Sequence, residues 1–207
     1  MTGVTNAAEL ADDILANWPY PPKGGWTADH LDRLPLDGPN GEPEFFIRVE
    51  LIDGALVFRS PQTRFHERMV SSLRIGLSGQ APAVFSVVGG MDLWLDAHSR
   101  TCPDVMVIDA VAGADLDRTS YQAEEVYLVV EVVSPESAHR DRVVKPPKYA
   151  RSGISHFWRV EKKENQLVVY VFELDPATCA YGLVKIDRGR VAVDLPFPVD
   201  IAFGNAG

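Results

Sequence analysis

Glu131 stands in the middle of an otherwise apolar run, residues 126–133, that is short, rich in β-branched side chains and closed by the turn signal Ser134-Pro135. Such a run reads as a strand covered on both faces. An ionised carboxylate buried there without a partner is very costly, so the residue must be neutral, paired or holding a cation. Upstream, Pro103-Asp104 places a second carboxylate at the head of a second apolar run, residues 105–108. Acids on two such strands suggest a hard-cation site, because Mg²⁺ takes oxygen ligands, commonly one or two carboxylates completed by waters and substrate phosphate. Glu50 is a third candidate, and a lysine further along would add a fixed positive charge. A cation that activates water, with a positive charge beside the reacting group, is what phosphodiester hydrolysis requires.

Each acid also has a purely structural explanation. Glu131 could be one half of a buried salt bridge with Arg or Lys, Asp104 a strand-start cap after proline, and Glu50 a surface residue beside a turn.

The elements that must position these residues can be read from periodicity. Residues 7–17 form a short helix stopped by Pro19, Pro21 and Pro22, so residues 1–24 read as a helical arm and proline-rich linker. Residues 25–207 then read as a single domain. Thr27 caps a helix running to about Leu34. Residues 45–52 and 55–59 flank Asp53-Gly54, a hairpin signal, with Glu50 on the first strand. Phe65, Met69, Val70, Leu73 and Leu77 recur at helical spacing, and His66 lies near the start of that helix. Residues 84–95 form a long strand or bent pair broken at Gly89-Gly90, with Asp92 and Asp96 flanking its end. A helix covers part of 140–152 and begins at or bends around Pro146 and Pro147; strands follow over 156–160, 167–174 and parts of 181–193. The order α, several β, α, β gives an α/β (α+β) fold, a mixed β-sheet flanked by helices.

Composition narrows the function. The chain has 207 residues, 46% of them hydrophobic, enough for a sizeable core. Its two cysteines, Cys102 and Cys179, match no zinc spacing and imply no disulfide framework, which fits a reducing cytoplasm. Neither a secretory leader nor an apolar stretch approaching the ~18 residues of a membrane span is present, so no membrane partner is expected. A net charge of −9 argues against a uniformly basic nucleic-acid surface. A local basic run is nevertheless present at Arg140, Arg142, Lys145, Lys148 and Arg151, read either as a solvated helix face or as a phosphate-facing one.

Taken in order, Val49-Glu-Leu-Ile-Asp-Gly54, Ser60-Pro61, His66, Pro103-Asp104, Leu128-Val-Val-Glu-Val-Val-Ser-Pro135, Asp141, Lys145, Tyr149, Gly153-Ile154 and Phe157-Trp158 resemble the family of putative restriction endonucleases called Uma-type. That family belongs to the PD-(D/E)xK phosphodiesterase superfamily. The resemblance implies a restriction-endonuclease-like fold and a metal-dependent endonuclease acting on DNA. It implies Asp104 and Glu131 as Mg²⁺ ligands, Mn²⁺ being a possible substitute, and Glu50 as an auxiliary ligand or water positioner. The superfamily's usual lysine, two residues after the glutamate, is Val133 here. The resemblance moves that role to Lys145, with Lys148 as fallback, in an Asp-x-x-x-Lys-x-x-x-Tyr pattern. His66, Arg140 and Arg142 are then candidate supporting or substrate-binding groups. Tyr149, Phe157 and Trp158 read as core, and a homodimer is the prior for an enzyme that cuts both strands.

Two other readings remain open at this point. One is a catalytically inactive module of the same fold that binds nucleic acid or a protein partner, motivated by Val133 and the acidic charge. The other is an assembly protein that works through its proline-rich arm.

Overall fold

A computed structural model describes residues 20–203 except 36, 39, 40, 42, 44, 45, 47, 48 and 165. The expected arm helix over 7–17 and the first half of the strand over 45–52 lie outside or largely outside the described residues. The chain divides into two compact units, Met1–Arg59 with Ala97–Ser99, and Ser60–Asp96 with Arg100–Gly207.

In the first unit, α1 (Ala28–Leu31) is shorter than Thr27's capping position suggests, and turns replace helix beyond it. The hairpin of β1 (Val49–Ile52) and β2 (Ala55–Phe58) is antiparallel with Ile52 opposite Ala55. Asp53 and Gly54 both take positive φ, 51° and 77°, the tight turn their sequence signals. The turn is tied down by the Gly54 amide donating to the His98 carbonyl at 2.8 Å and the Trp26 amide donating to the Gly54 carbonyl at 3.2 Å.

The second unit opens with α2 (Arg64–Ser78), capped by the Thr63 hydroxyl, which accepts from the His66 amide at 3.3 Å. β3 (Phe85–Val88) and β4 (Asp92–Asp96) follow, separated at Gly89-Gly90 as the sequence predicts. β5 (Ser99–Thr101) leads into β6 (Val105–Asp109), β7 (Ser120–Gln122) and β8 (Val126–Val132). A π-helical turn (Arg140–Val144) runs directly into α3 (Lys145–Arg151). The chain then forms β9 (His156–Lys163), β10 (Gln166–Asp175), β11 (Ala180–Arg188), β12 (Arg190–Val193) and β13 (Val199–Ala202). The last of these strands lies beyond the strands expected from the sequence, although its Val199 and Ile201 are buried and Asp200 and Ala202 exposed in alternation.

A six-stranded sheet in the order β11-β10-β9-β8-β6-β3 organises this unit. Its pairs are antiparallel except β8 with β9, which run parallel with Val130 opposite Trp158. Parallel neighbours need a crossover connection over one face of the sheet, and the π turn with α3 supplies it. Core packs on both faces. Met69, Leu73 and Leu77 of α2 meet Val105, Val107, Leu128, Val130 and Val132 on one face; Tyr149 and Ile154 meet Met106, Val129 and Phe157 on the other. Double-sided burial explains why residues 126–133 read as a continuous apolar run rather than an alternating one.

Candidate active site

Glu131 shares the strand parity of Val129, so its side chain belongs to the sheet face crossed by α3. It is 2% exposed. Its Oε1 lies 3.1 Å from Lys145 Nζ and accepts a hydrogen bond from the Tyr149 hydroxyl at 2.5 Å. Lys145 Nζ is also 3.4 Å from Asp141 Oδ1, and Tyr149 Oη is 3.3 Å from the Thr101 hydroxyl. A buried acid is tolerable here because a cation and a phenol reach it together.

The crossover's irregular start helps deliver that cation. Pro146 and Pro147 lack the amides that would bond the carbonyls four residues back, and their rings crowd those carbonyls. The chain widens by one residue instead, with the Lys145 amide donating to the Arg140 carbonyl five positions earlier. α3 starts with both prolines in its first turn, where missing amides cost little. Lys145 and Tyr149, four apart on α3, therefore point the same way onto Glu131.

Asp104 precedes Val105, whose cross-strand partner is Val130, so it lies beside Glu131's position on β8. Its Oδ2 accepts the Val132 amide at 2.7 Å and its Oδ1 is 3.0 Å from His66 Nε2. These contacts fix the orientation of a buried carboxylate at the end of the sheet. His66, a candidate supporting or substrate-binding group from the sequence, is buried and lies against Asp104.

The other sequence candidates have the following surroundings. Glu50 is buried on β1 in the first unit, at 1% exposure, so it is not the surface residue its hairpin position suggests. Lys148 is half-buried on α3. Arg140 pairs with Glu136 at 2.5 Å, and Asp92 takes Arg100 at 2.8 Å. Arg142 forks onto Glu161 at 3.1 and 2.7 Å, and Arg159 Nε approaches the same carboxylate at 2.7 Å. Burial pushes the Glu161 carboxyl up, but the hydrogen bonds of Arg142 and the charges of Arg159, Arg142 and Lys163 outweigh it and hold it below the ordinary range. The basic run is thus largely paired, not a bare solvated face. The functional feature that sequence reasoning missed is the Tyr149 hydroxyl: its ring is core, as expected, while its oxygen completes the Glu131 site. The spacing of Asp141, Lys145 and Tyr149, four residues apart in each step, was the available signal.

Among the described residues, no three of His, Cys, Asp and Glu cluster in a way that could hold a metal ion. A cation needing a closed protein cage does not fit. A hard cation held by two carboxylates and completed by water and substrate oxygen does fit Asp104 and Glu131. It would compete with Lys145 and His66 for their oxygens.

The profile of the family described as Uma2, putative restriction endonuclease, matches residues 32–203. The chain belongs to this family. A solved structure from Anabaena variabilis ATCC 29413, described as a putative nuclease belonging to DUF820, aligns with a TM-score of 0.57 at 13% identity, over 82% of this chain and 89% of that one. At that identity the likeness concerns the fold, a mixed α and β architecture with sheets flanked by few helices. No curated protein matches the chain. Among the described residues, no helix is long and apolar enough to cross a membrane.

Proposed function

We propose that this Uma2-family protein is an endonuclease that hydrolyses DNA phosphodiester bonds with a divalent cation, Mg²⁺ or Mn²⁺, held by Asp104 and Glu131. The observation that carries this reading is a strand-centre glutamate, 2% exposed, joined to a helix lysine at 3.1 Å and flanked on the neighbouring strand by a second oriented carboxylate. When bound, the cation lowers the pKa of a water and offsets charge on the phosphoryl oxygens. The chain's own residues do the rest. The Val132 amide and His66 hold Asp104 in one rotamer, so that its oxygens meet an incoming ligand without reorganisation. Tyr149 fixes Glu131 by the same logic. Lys145 keeps a positive charge at the edge of the site, where it stabilises the negative charge that builds on phosphorus oxygens as the bond breaks. Glu50 as an auxiliary ligand rests on the sequence resemblance and on its burial.

The test is cleavage of supercoiled plasmid and of single-stranded DNA in Mg²⁺, Mn²⁺ or EDTA, with Asp104→Ala, Glu131→Gln, Lys145→Ala and Glu50→Gln alongside wild type. Metal-dependent nicking abolished by the first three substitutions is expected. Cleavage that persists in EDTA, or is unchanged in Asp104→Ala, would defeat the proposal. A second reading, an inactive module of the same fold that binds nucleic acid or protein, is favoured by one observation: Lys145 already neutralises Glu131. DNA bound tightly but left intact in both metals would select it.

A further inference from the structure

Beyond the acids, the second unit contains a cavity of about 560 Å³ lined by residues of the π turn, α3, β9, β10 and the β10–β11 turn. Pro147 and Arg151 of α3 line it. At 100° per residue they lie on the opposite side of the helix from Lys145 and Tyr149, while Phe157, which also lines the cavity, has its ring centre 5.9 Å from that of Tyr149.

Its walls combine two chemistries. Arg142, Arg151 and Arg159 all line it. Glu161 is shared by Arg142 and Arg159, which leaves an excess of positive charge on a chain whose net charge is −9. The second wall is aromatic: the half-buried Phe172 and Tyr181 line it, each backed by the fully buried Phe157 at 5.5 Å between ring centroids, and the Arg159 guanidinium lies 5.4 Å from the centre of the Phe172 ring. Arginine forks match phosphate oxygens, while aromatic rings and guanidinium planes are surfaces on which bases stack. The volume is of the size that takes a small ligand.

We propose that this cavity binds one nucleotide unit, the base against the half-buried Phe172 and Tyr181 and the phosphate against Arg151, beside the Arg142 fork that Glu161 holds. The shared chemistry is a base carrying a phosphate, and the source is either a free nucleotide or an unpaired nucleotide of a strand. The site does not depend on cleavage at Glu131.

Cys179 gives a direct readout, since it is exposed and lines the cavity whereas Cys102 is buried. The full chain in EDTA is alkylated with iodoacetamide, and modification of Cys179 is followed by mass spectrometry with thymidine 5′-monophosphate, hexathymidylate or inorganic phosphate present. Saturating nucleotide slows alkylation at least tenfold, and Arg151→Glu, an exposed rim substitution, abolishes protection without shifting the melting temperature. Protection by the monophosphate and the oligomer alike supports the proposal with free nucleotide as a source; protection by the oligomer alone supports it with a strand as the source. No protection by either overturns it, as does protection retained in Arg151→Glu. Inorganic phosphate protecting as well as the monophosphate also overturns it, because the aromatic wall would then play no part.

Discussion

Replacing Lys145 with methionine removes one charge from a buried cluster while nearly preserving volume. At an effective dielectric of about 20, charges 3.1 and 3.4 Å apart attract by about 5 kcal/mol each. Much of that is offset by the desolvation of three ions, and breaking such a buried cluster by deleting one member costs about 3–5 kcal/mol net. For a chain of this size, each kcal/mol moves the melting temperature by roughly 2–4 °C, so Lys145→Met should melt about 6–20 °C below wild type. The same substitution releases Glu131 from its internal cation. Added Mg²⁺ should then stabilise the variant by about 1.4 kcal/mol when free Mg²⁺ is tenfold above the variant's dissociation constant, and wild type by less. Thermal and urea unfolding, each with Mg²⁺ or EDTA, measure both effects. A loss under about 1 kcal/mol would show that Lys145 does not neutralise Glu131 in solution. Equal Mg²⁺ responses in the two proteins would refute competition between Lys145 and a cation for Glu131.

Three further outcomes are expected. Tyr149→Phe deletes the phenol that donates to Glu131 at 2.5 Å and should cost about 1.5–3 kcal/mol, the usual value for a hydrogen bond to a charged group, with cleavage reduced but metal dependence kept; unfolding and nicking assays check it. Val133 shares Glu131's strand parity, so Val133→Lys in the Lys145→Met background should restore part of the cleavage lost in the single variant, as plasmid nicking would show. Acid should destabilise the fold in two stages, because two groups hold their protons less tightly when folded. Burial lowers His156 below its ordinary 6.5, opposed by Glu173, so its contribution is complete above about pH 6.5 and erodes as pH falls through the lowered folded value. Glu161 is likewise depressed below its ordinary 4.5, and its contribution disappears below that pH. Urea unfolding from pH 7 to 3 should show both stages, and Arg142→Gln should diminish the second.

Much of this arrangement was legible in the residues. The strand at 126–132, the acid at the head of β6, the Asp53-Gly54 turn and the amphipathic α2 follow from local periodicity and turn chemistry, which a sequence displays directly. The pairing of Lys145 with Glu131 followed only from the resemblance, because it joins residues 14 positions apart through a crossover whose geometry depends on β8 and β9 being parallel. Tyr149 was assigned to the core by its ring, and nothing local distinguishes a buried ring from one whose oxygen is also used. The contact of His66 with Asp104 joins a helix to a strand end and has no periodic signature. Thr27 does cap α1 as its sequence signals, but an N-cap marks where a helix starts and not where it ends, so the end at Leu31 was not legible.

The parallel pairing of β8 with β9 also has a consequence for how the molecule assembles. Glu131 can be buried only once the crossover has brought Lys145 and Tyr149 over it, so the central strand and the connection that follows it must consolidate together. Partial opening of α3 would leave an unneutralised acid inside the sheet, which makes an intermediate with β8 docked and α3 loose energetically poor. Amide exchange should therefore place 128–132 and 145–150 in one opening unit, despite one segment being strand and the other helix.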